Sequence, residues 1–440
     1  MSNACGRFSR RGVLRLGSVG GLSLAEALRW QQATAAETPA AAKKDVNCIF
    51  IFLLGGMPHQ DLWDLKPDAP AEIRGDFQPI STAVPGLQVS DCLPGVAQVT
   101  DKLAILRGMT HTDSDHGRGF HIMMTGVQAT GPGDFNGNKN NNQHPSLGSM
   151  VSRAGGTKSS LPPYISVPNF IDSGGPSFLG ASHAPFVIES DPASPEFSVR
   201  DITLPADVTD QRSRRRQAAL RHINDFEKRV SEASKQVQSL DTFYEKAYRL
   251  MVSQEAKEAF DIHREPATVR ERYGNTSLGQ CCLLARRLVE AGCRFVTIEN
   301  GHWDTHRKNT ESLRQLLVPA FDRALPALLV DLAQSGLLDS TLVVVSTEFG
   351  RTPRINELAG RDHWPGAFSV CLAGAGLKTG QAVGATDKHA AYVTDRPTTP
   401  ADLAATILSV LGIDPQTTLY TPLGRPVPLV NGGKTIHEVI

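Results

Sequence analysis

The chain has 440 residues, 40% of them hydrophobic, enough to bury a large core as one big α/β domain with insertions or as two domains. Its 45 basic and 45 acidic residues balance, which excludes the net field that would draw nucleic acid or an anionic membrane as principal partner. Seven cysteines, at 5, 48, 92, 281, 282, 293 and 371, show neither zinc-ribbon spacing nor a dense disulfide frame. Cys281 and Cys282 read as buried free thiols on an apolar helix, with a bridge from Cys293 to one of them as the alternative.

The N-terminus reads as an export signal. Ser9-Arg-Arg-Gly-Val-Leu-Arg15 precedes a weakly apolar stretch from Leu16 to Leu28, and small residues around Ala33-Thr-Ala35 suit a signal peptidase. Two arginines ahead of a modest apolar core form the twin-arginine pattern; an ordinary surface helix carrying Arg10 and Arg11 is the alternative. Residues 1–36 are therefore set apart from a folded domain over 37–440. This route carries proteins already folded, so the expected destination is the periplasm or the cell exterior, with a metal in place beforehand. Elsewhere no segment approaches the roughly 20 uninterrupted apolar residues of a membrane span.

Asn47-Cys-Ile-Phe-Ile-Phe-Leu-Leu54 is a continuous apolar run ending at Gly55-Gly56, the mark of a central parallel strand that delivers a tight turn. Similar short runs cover Leu103 to Leu106, Tyr164 to Val167, Arg294 to Ile298, Thr341 to Ser346 and Phe368 to Leu372. Amphipathic helices are predicted over Leu278 to Ala291, Thr310 to Ser335 and Ala401 to Leu411. This alternation implies a mostly parallel sheet with helices on both faces. Gln128 to His144, rich in Gly and Asn, reads as a long surface loop. Between 210 and 273 the composition shifts to Arg, Lys, Glu, Gln and Ala, predicting a helical insertion that Pro266 breaks near its end. Its basic run Arg212-Ser-Arg-Arg-Arg216 reads as a solvated helix face.

Three clusters of His and carboxylate, in Glu299-Asn-Gly-His-Trp-Asp-Thr-His306, Thr347-Glu-Phe-Gly-Arg-Thr-Pro353 and Asp362-His-Trp-Pro365, are each expected to follow a strand-like run, so they would converge on the sheet edge where open α/β folds bind ligands. Asp304 and His306 lie just past a strand, with His302 beside them, Glu348 ends another buried strand, and His363 precedes the next one. After the first strand, Gly55-Gly-Met-Pro-His-Gln-Asp61 puts His59 and Asp61 near enough to share a metal or a proton; capping of the next turn is the plainer role. A buried Glu348 requires a bound cation or Arg351 to neutralise it. Imidazole beside carboxylate suits zinc, manganese or iron, whereas calcium prefers oxygens alone. The competing reading is a structural polar network, in which His302 and Asp362 orient other side chains.

A fourth segment, His111-Thr-Asp-Ser-Asp-His-Gly-Arg-Gly-Phe-His121, leads from small residues into a helix. A helix N-terminus there would aim N–H groups at a phosphate or sulfate; a loop that merely caps the helix is the alternative.

Together, the twin-arginine signal, Gly55-Gly-Met-Pro-His-Gln-Asp61, Trp303-Asp-Thr-His306, Glu348-Phe-Gly-Arg-Thr-Pro353 and Asp362-His-Trp-Pro365 resemble a large bacterial family of exported proteins catalogued as domain of unknown function 1501. That family is placed among relatives of alkaline phosphatases, sulfatases and cofactor-independent phosphoglycerate mutases. The resemblance implies a three-layer α/β/α sandwich with a metal site at the carboxyl ends of its strands. Asp304, His306 and His363 match one metal site of the superfamily. At the second site Glu348 and Phe349 stand where many relatives carry Asp-His, and Gly55 or Gly56 replaces an Asp, leaving His59 and Asp61 to compensate. His116-Gly-Arg-Gly-Phe-His-Ile-Met-Met-Thr-Gly126 resembles the sulfatase stretch that begins with the modified cysteine, which puts His116 at the nucleophile position. Pro58 stands where family members often carry Ser.

These residues lead to an exported, metal-dependent hydrolase of phosphate or sulfate esters, acting on a small molecule or a polysaccharide. Asp304, His306, His363, Glu348 and Asp61 are the expected metal ligands for one or two divalent ions (zinc, manganese or calcium). His116, Arg118 and His59 are the expected catalytic groups. A binding protein that kept the scaffold and a metal without catalysis is the alternative.

Overall fold

The apolar run expected to open the domain forms strand β1 (Asn47–Leu53). In the computed structural model, residues 45–128, 144–155, 159–199 and 250–440 are described, with the single positions 202 and 215. The expected signal at 1–36, all but the ends of the loop at 128–144, and most of the insertion at 210–273 lie outside the described residues. The described end of that insertion holds helices Gln254–Phe260 and Ala267–Tyr273, the second starting directly after Pro266.

After β1, a small antiparallel pair joins β2 (Pro79–Ser81) and β3 (Gln88–Ser90). The strands that follow, up to residue 383, are β4 (Leu103–Met109), β5 (Tyr164–Val167), β6 (Phe186–Val187), β7 (Phe295–Asn300), β8 (Thr341–Ser346), β9 (Gly350–Arg351), β10 (His363–Trp364), β11 (Phe368–Gly374) and β12 (Gln381–Val383). Eight of them make one sheet in the order β12-β4-β11-β8-β1-β7-β5-β6. All run parallel except β11, which is antiparallel to both β4 and β8. β1 lies in the middle and is buried on both faces, as its unbroken apolar run requires.

Side-chain alternation along β1 divides the core in two. Ile49, Ile51 and Leu53 pack into a layer with the helices Ser277–Glu290 and Val318–Gln334. Cys48, Phe50 and Phe52 face a layer built on the helices His116–Thr125, Leu147–Ala154 and Pro400–Val410. The architecture is thus the expected three-layer α/β/α sandwich. Sequence-encoded caps set helix starts: Thr276 accepts from Gly279 N, and Thr399 with Asp402 forms a capping box.

One expected helix, Thr310 to Ser335, is interrupted. A π turn spans Leu313–Leu317 before the α-helix Val318–Gln334, because Pro319 has no N–H to close an α-type bond to Gln315. The six cysteines among the described residues are free, so Cys293 bridges neither Cys281 nor Cys282. Among the described residues, no helix is long and apolar enough to cross a membrane.

The turn after β1 depends on its two glycines. Gly55 and Gly56 take φ of 124° and 99°, and a Cβ on Gly55 would stand 2.2 Å from the backbone nitrogen of Asp304. Gly55→Ala therefore adds strain of about 1–3 kcal/mol and pushes the Asp304 segment outward. Denaturant unfolding should show a loss of that order, with weaker binding of divalent metal by the variant that remains folded.

Candidate metal centre

The register of the central strands brings distant loops together. Leu53 pairs with Asn300 and Phe52 with Ser346, so the segments leaving β1, β7 and β8 start side by side. β11 runs the opposite way, which puts its beginning, Phe368, at the same edge, opposite Met109 of β4. His363 and Trp364 lie just before it and pair with Arg351 and Gly350.

Each loop is pinned by its own hydrogen bonds. Trp303 N donates to Leu54 O at 2.9 Å, and the buried indole donates to Asn300 Oδ1 at 2.9 Å, which fixes the neighbouring Asp304. Thr347 Oγ1 donates to Leu53 O at 2.8 Å and accepts from Met57 N at 3.0 Å, which fixes Glu348. His116 is the first residue of its helix, and the Asp115 cap accepts from Arg118 N at 3.1 Å.

Three imidazoles gather around the Asp304 carboxylate. Oδ1 lies 3.0 Å from His306 Nε2 and 3.1 Å from His363 Nε2, and those two nitrogens are 3.0 Å apart. His116 Nε2 stands 3.4 Å from Oδ2. His116, Asp304 and His363 present ligand atoms within 4.8 Å of one another, a group able to hold a metal ion. His306 lies outside that group, with its Nε2 beside Asp304 and His363.

The opposite nitrogen of each ring is engaged. His116 Nδ1 meets Glu348 Oε1 at 2.7 Å, His306 Nδ1 meets Asp362 Oδ1 at 2.6 Å, and His363 Nδ1 meets Ser114 O at 2.7 Å. All three partners only accept, so the network assigns the proton to Nδ1 in each neutral ring and leaves the Nε2 lone pair facing Asp304. This is how metal-ligating histidines are usually oriented.

Burial and charge act on these groups in opposite senses. Burial pulls His116 down, but the hydrogen bond and charge of Glu348, with the charge of Asp304, outweigh it and hold its pKa above the ordinary value. His363 is lowered, because burial outweighs the help of Asp304 and Ser114 O. Burial alone would raise Asp304; the Arg351 hydrogen bond and charge, with His363 and His116, hold it at about 2. The His306 hydrogen bond, against a smaller effect of burial, lowers Asp362.

The other expected site residues stand elsewhere. Glu348 is fully buried and accepts from Gly55 N at 2.8 Å and Thr347 Oγ1 at 3.1 Å besides His116. Arg351 does not pair with it; its guanidinium reaches Asp304 instead. Asp61 is buried against Arg361, with 2.8 and 2.9 Å contacts to its two oxygens, and Asn309 Nδ2 adds a third at 2.7 Å. His59 is buried with Nε2 on Ala390 O at 2.9 Å. Arg118 is half-exposed and lies 3.7 Å from Asp113. His302 is exposed on a left-handed backbone, φ 75°.

Two contributors escaped sequence reasoning. His111 Nε2 lies 2.6 Å from the Glu348 carbonyl, and the Phe349 ring packs 4.5 Å from that of His363 and 5.1 Å from that of His116. The density of histidine in 111–121 was a signal for the first. Phe349 carries none, since an apolar residue after a buried strand reads as core.

A family profile described as "Protein of unknown function (DUF1501)" matches residues 45–440. No curated protein sequence matches the chain. Among solved structures, the PsFucS1 sulfatase from Pseudoalteromonas sp. is 13% identical, with 88% of this chain and 72% of that one covered and a TM-score of 0.40. The phosphonate monoester hydrolase SpPMH from Silicibacter pomeroyi is 12% identical over 89% and 76%, TM-score 0.38. A protein in the alkaline phosphatase superfamily from Vibrio parahaemolyticus is 14% identical over 84% and 67%, TM-score 0.39. Likeness at this level leaves the chemistry of the centre to its own residues.

Two expectations follow from the geometry. Removing the Glu348 carboxylate as Glu348→Gln takes away the interaction that favours the charged ring, so the pKa of His116 should fall, as read by imidazole NMR titration of metal-free protein. Asp61→Asn leaves the buried Arg361 without its counter-charge and should cost about 3–5 kcal/mol in denaturant unfolding, while folded variant keeps its metal affinity.

Proposed function

The chain belongs to the DUF1501 family, whose description assigns no activity, and from the geometry of the centre we propose an exported hydrolase of phosphate or sulfate esters that depends on a divalent metal. Nε2 of His116 and His363 and the carboxylate of Asp304 would hold the ion, with Nε2 of His306 beside Asp304 and His363 as a further ligand. The substrate is a small-molecule or polysaccharide ester, and export follows the twin-arginine signal at Arg10 and Arg11.

One observation carries this reading: three imidazoles, each with Nδ1 on an acceptor, turn Nε2 toward one carboxylate. The Nε2 atoms of His306 and His363 stand 3.0 Å apart, a pair that is favourable only with a proton or a metal cation between them. For metal bonds of about 2.0–2.1 Å, neighbouring donors stand about 2.9–3.4 Å apart, and the distances among Asp304, His306 and His363 fall in that range. Three nitrogens with one carboxylate select zinc, manganese or iron over calcium.

When bound, the ion supplies Lewis-acid polarisation of an ester oxygen and lowers the pKa of a coordinated water. The protein's residues do the rest. Glu348 holds the His116 proton on Nδ1, Asp362 does the same for His306, and Phe349 closes the side of the His116 and His363 rings to water. Asp304 and His306 keep side-chain exposures of 45% and 40%, so an ester reaches the centre from their side.

A specific observation favours a second reading, a binding protein without catalysis. Thr347 Oγ1 is committed to Leu53 O, and the contact of Ser114 with the cluster is made by its carbonyl, so neither contact presents a free hydroxyl to the cluster. Metal analysis of purified protein, followed by aryl phosphate and aryl sulfate assays with zinc, manganese and calcium, separates the two. Hydrolysis that a chelator stops, and that His306→Ala and His363→Ala abolish along with metal retention, is the expected result. Tightly held metal without turnover supports the binding protein, and absence of both overturns the metal centre.

A further inference from the structure

Arg351 is fully buried at the centre, and its guanidinium is spent on fixed oxygens. Nε donates to Gly56 O at 3.1 Å and Nη1 to Arg361 O at 2.8 Å; Nη2 reaches Gly55 O, Trp303 O and Asp304 Oδ1. It thereby ties together the turn after β1, the segment carrying Asp304 and the segment leading to His363.

We infer that the centre is built for one divalent ion, with the Arg351 guanidinium fixed in the role of a second cation and acting as the positioning residue for Asp304. The inference rests on the metal reading above and adds the number of ions and the group that sets it. Two observations carry it. First, the other groups expected to serve a second ion are turned to other partners. Glu348 accepts from Gly55 N and His116 Nδ1, Asp61 is held by Arg361 and Asn309, and His59 puts Nε2 on Ala390 O with Nδ1 turned toward Gly350.

Second, the charges close with one ion. Asp304, Glu348 and Asp362 bring three negative charges when ionised, and the three histidines are neutral as ligands. Arg351, which stays protonated in proteins, and one divalent ion bring three positive charges. A second divalent ion would leave the site with two uncompensated positive charges beside a buried guanidinium, a repulsion that the solvent on the Asp304 side only partly screens.

The test uses the full chain loaded with Mn(II) or Zn(II) and freed of excess ion by gel filtration. Elemental analysis should give one ion per chain, and the Mn(II) protein should show an uncoupled electron paramagnetic resonance spectrum. Two ions with an exchange-coupled spectrum overturn this inference and leave the metal reading standing. No ion overturns the metal reading and this inference with it. R351M and R351K, checked for folding by circular dichroism, test the positioning role. A folded R351M should bind Zn(II) about 10–100-fold more weakly, the effect usual for groups behind a metal ligand, with partial recovery in R351K. Equal affinity of folded R351M and the parent chain overturns that role. If neither variant folds, the ion count of the parent chain still decides.

Discussion

The carboxylate of Asp304 organises everything else at the sheet edge. It faces a buried guanidinium and three imidazole nitrogens at once, and a neutral side chain there would strand a buried charge, which costs several kcal/mol. Its position depends on a sequence of close contacts. Gly55 and Gly56 adopt positive φ, so the Trp303–Asp304 backbone and the Arg351 side chain lie flush against the turn, where Cβ atoms would collide with them. Their carbonyls then receive the guanidinium, which holds Asp304. The histidines approach last, each from a separate segment.

Much of this was legible because completely buried strands leave a plain trace. The runs in β1, β5 and β8 match the observed strands nearly residue for residue, since a strand covered on both faces has no polar side to hide. The direction of β11 was not legible. Its apolar run looks like the others, yet a residue preceding a parallel strand falls at the opposite edge of the sheet. His363 reaches Asp304 only because β11 is antiparallel to β4 and β8.

Local pattern also failed to separate two similar acids. His59-Gln-Asp61 and Asp304-Thr-His306 have the same spacing after a buried strand, but only the second faces the cluster. Asp61 is claimed by Arg361 through both oxygens, whereas Asp304 keeps nearly half of its side chain in solvent. A carboxylate's partner can lie 300 positions away, and spacing within a loop carries no information about it. The same limit applies to Arg351, which sequence reasoning offered to Glu348 and which the fold gives to Asp304.

The centre differs from an ordinary polar network in where its freedom lies. In a network that only stabilises, every donor finds an acceptor, and Asp61 with Arg361 and Asn309 is such a case. Around Asp304 the imidazole donors point outward, to Glu348, Asp362 and Ser114, and the Nε2 atoms face, as acceptors, a carboxylate to which the Arg351 guanidinium donates. Acceptors facing acceptors are unfavourable without a positive charge among them. On the proposed reading this arrangement attracts a cation, and the contacts behind each ring keep the Nε2 lone pairs aimed at it.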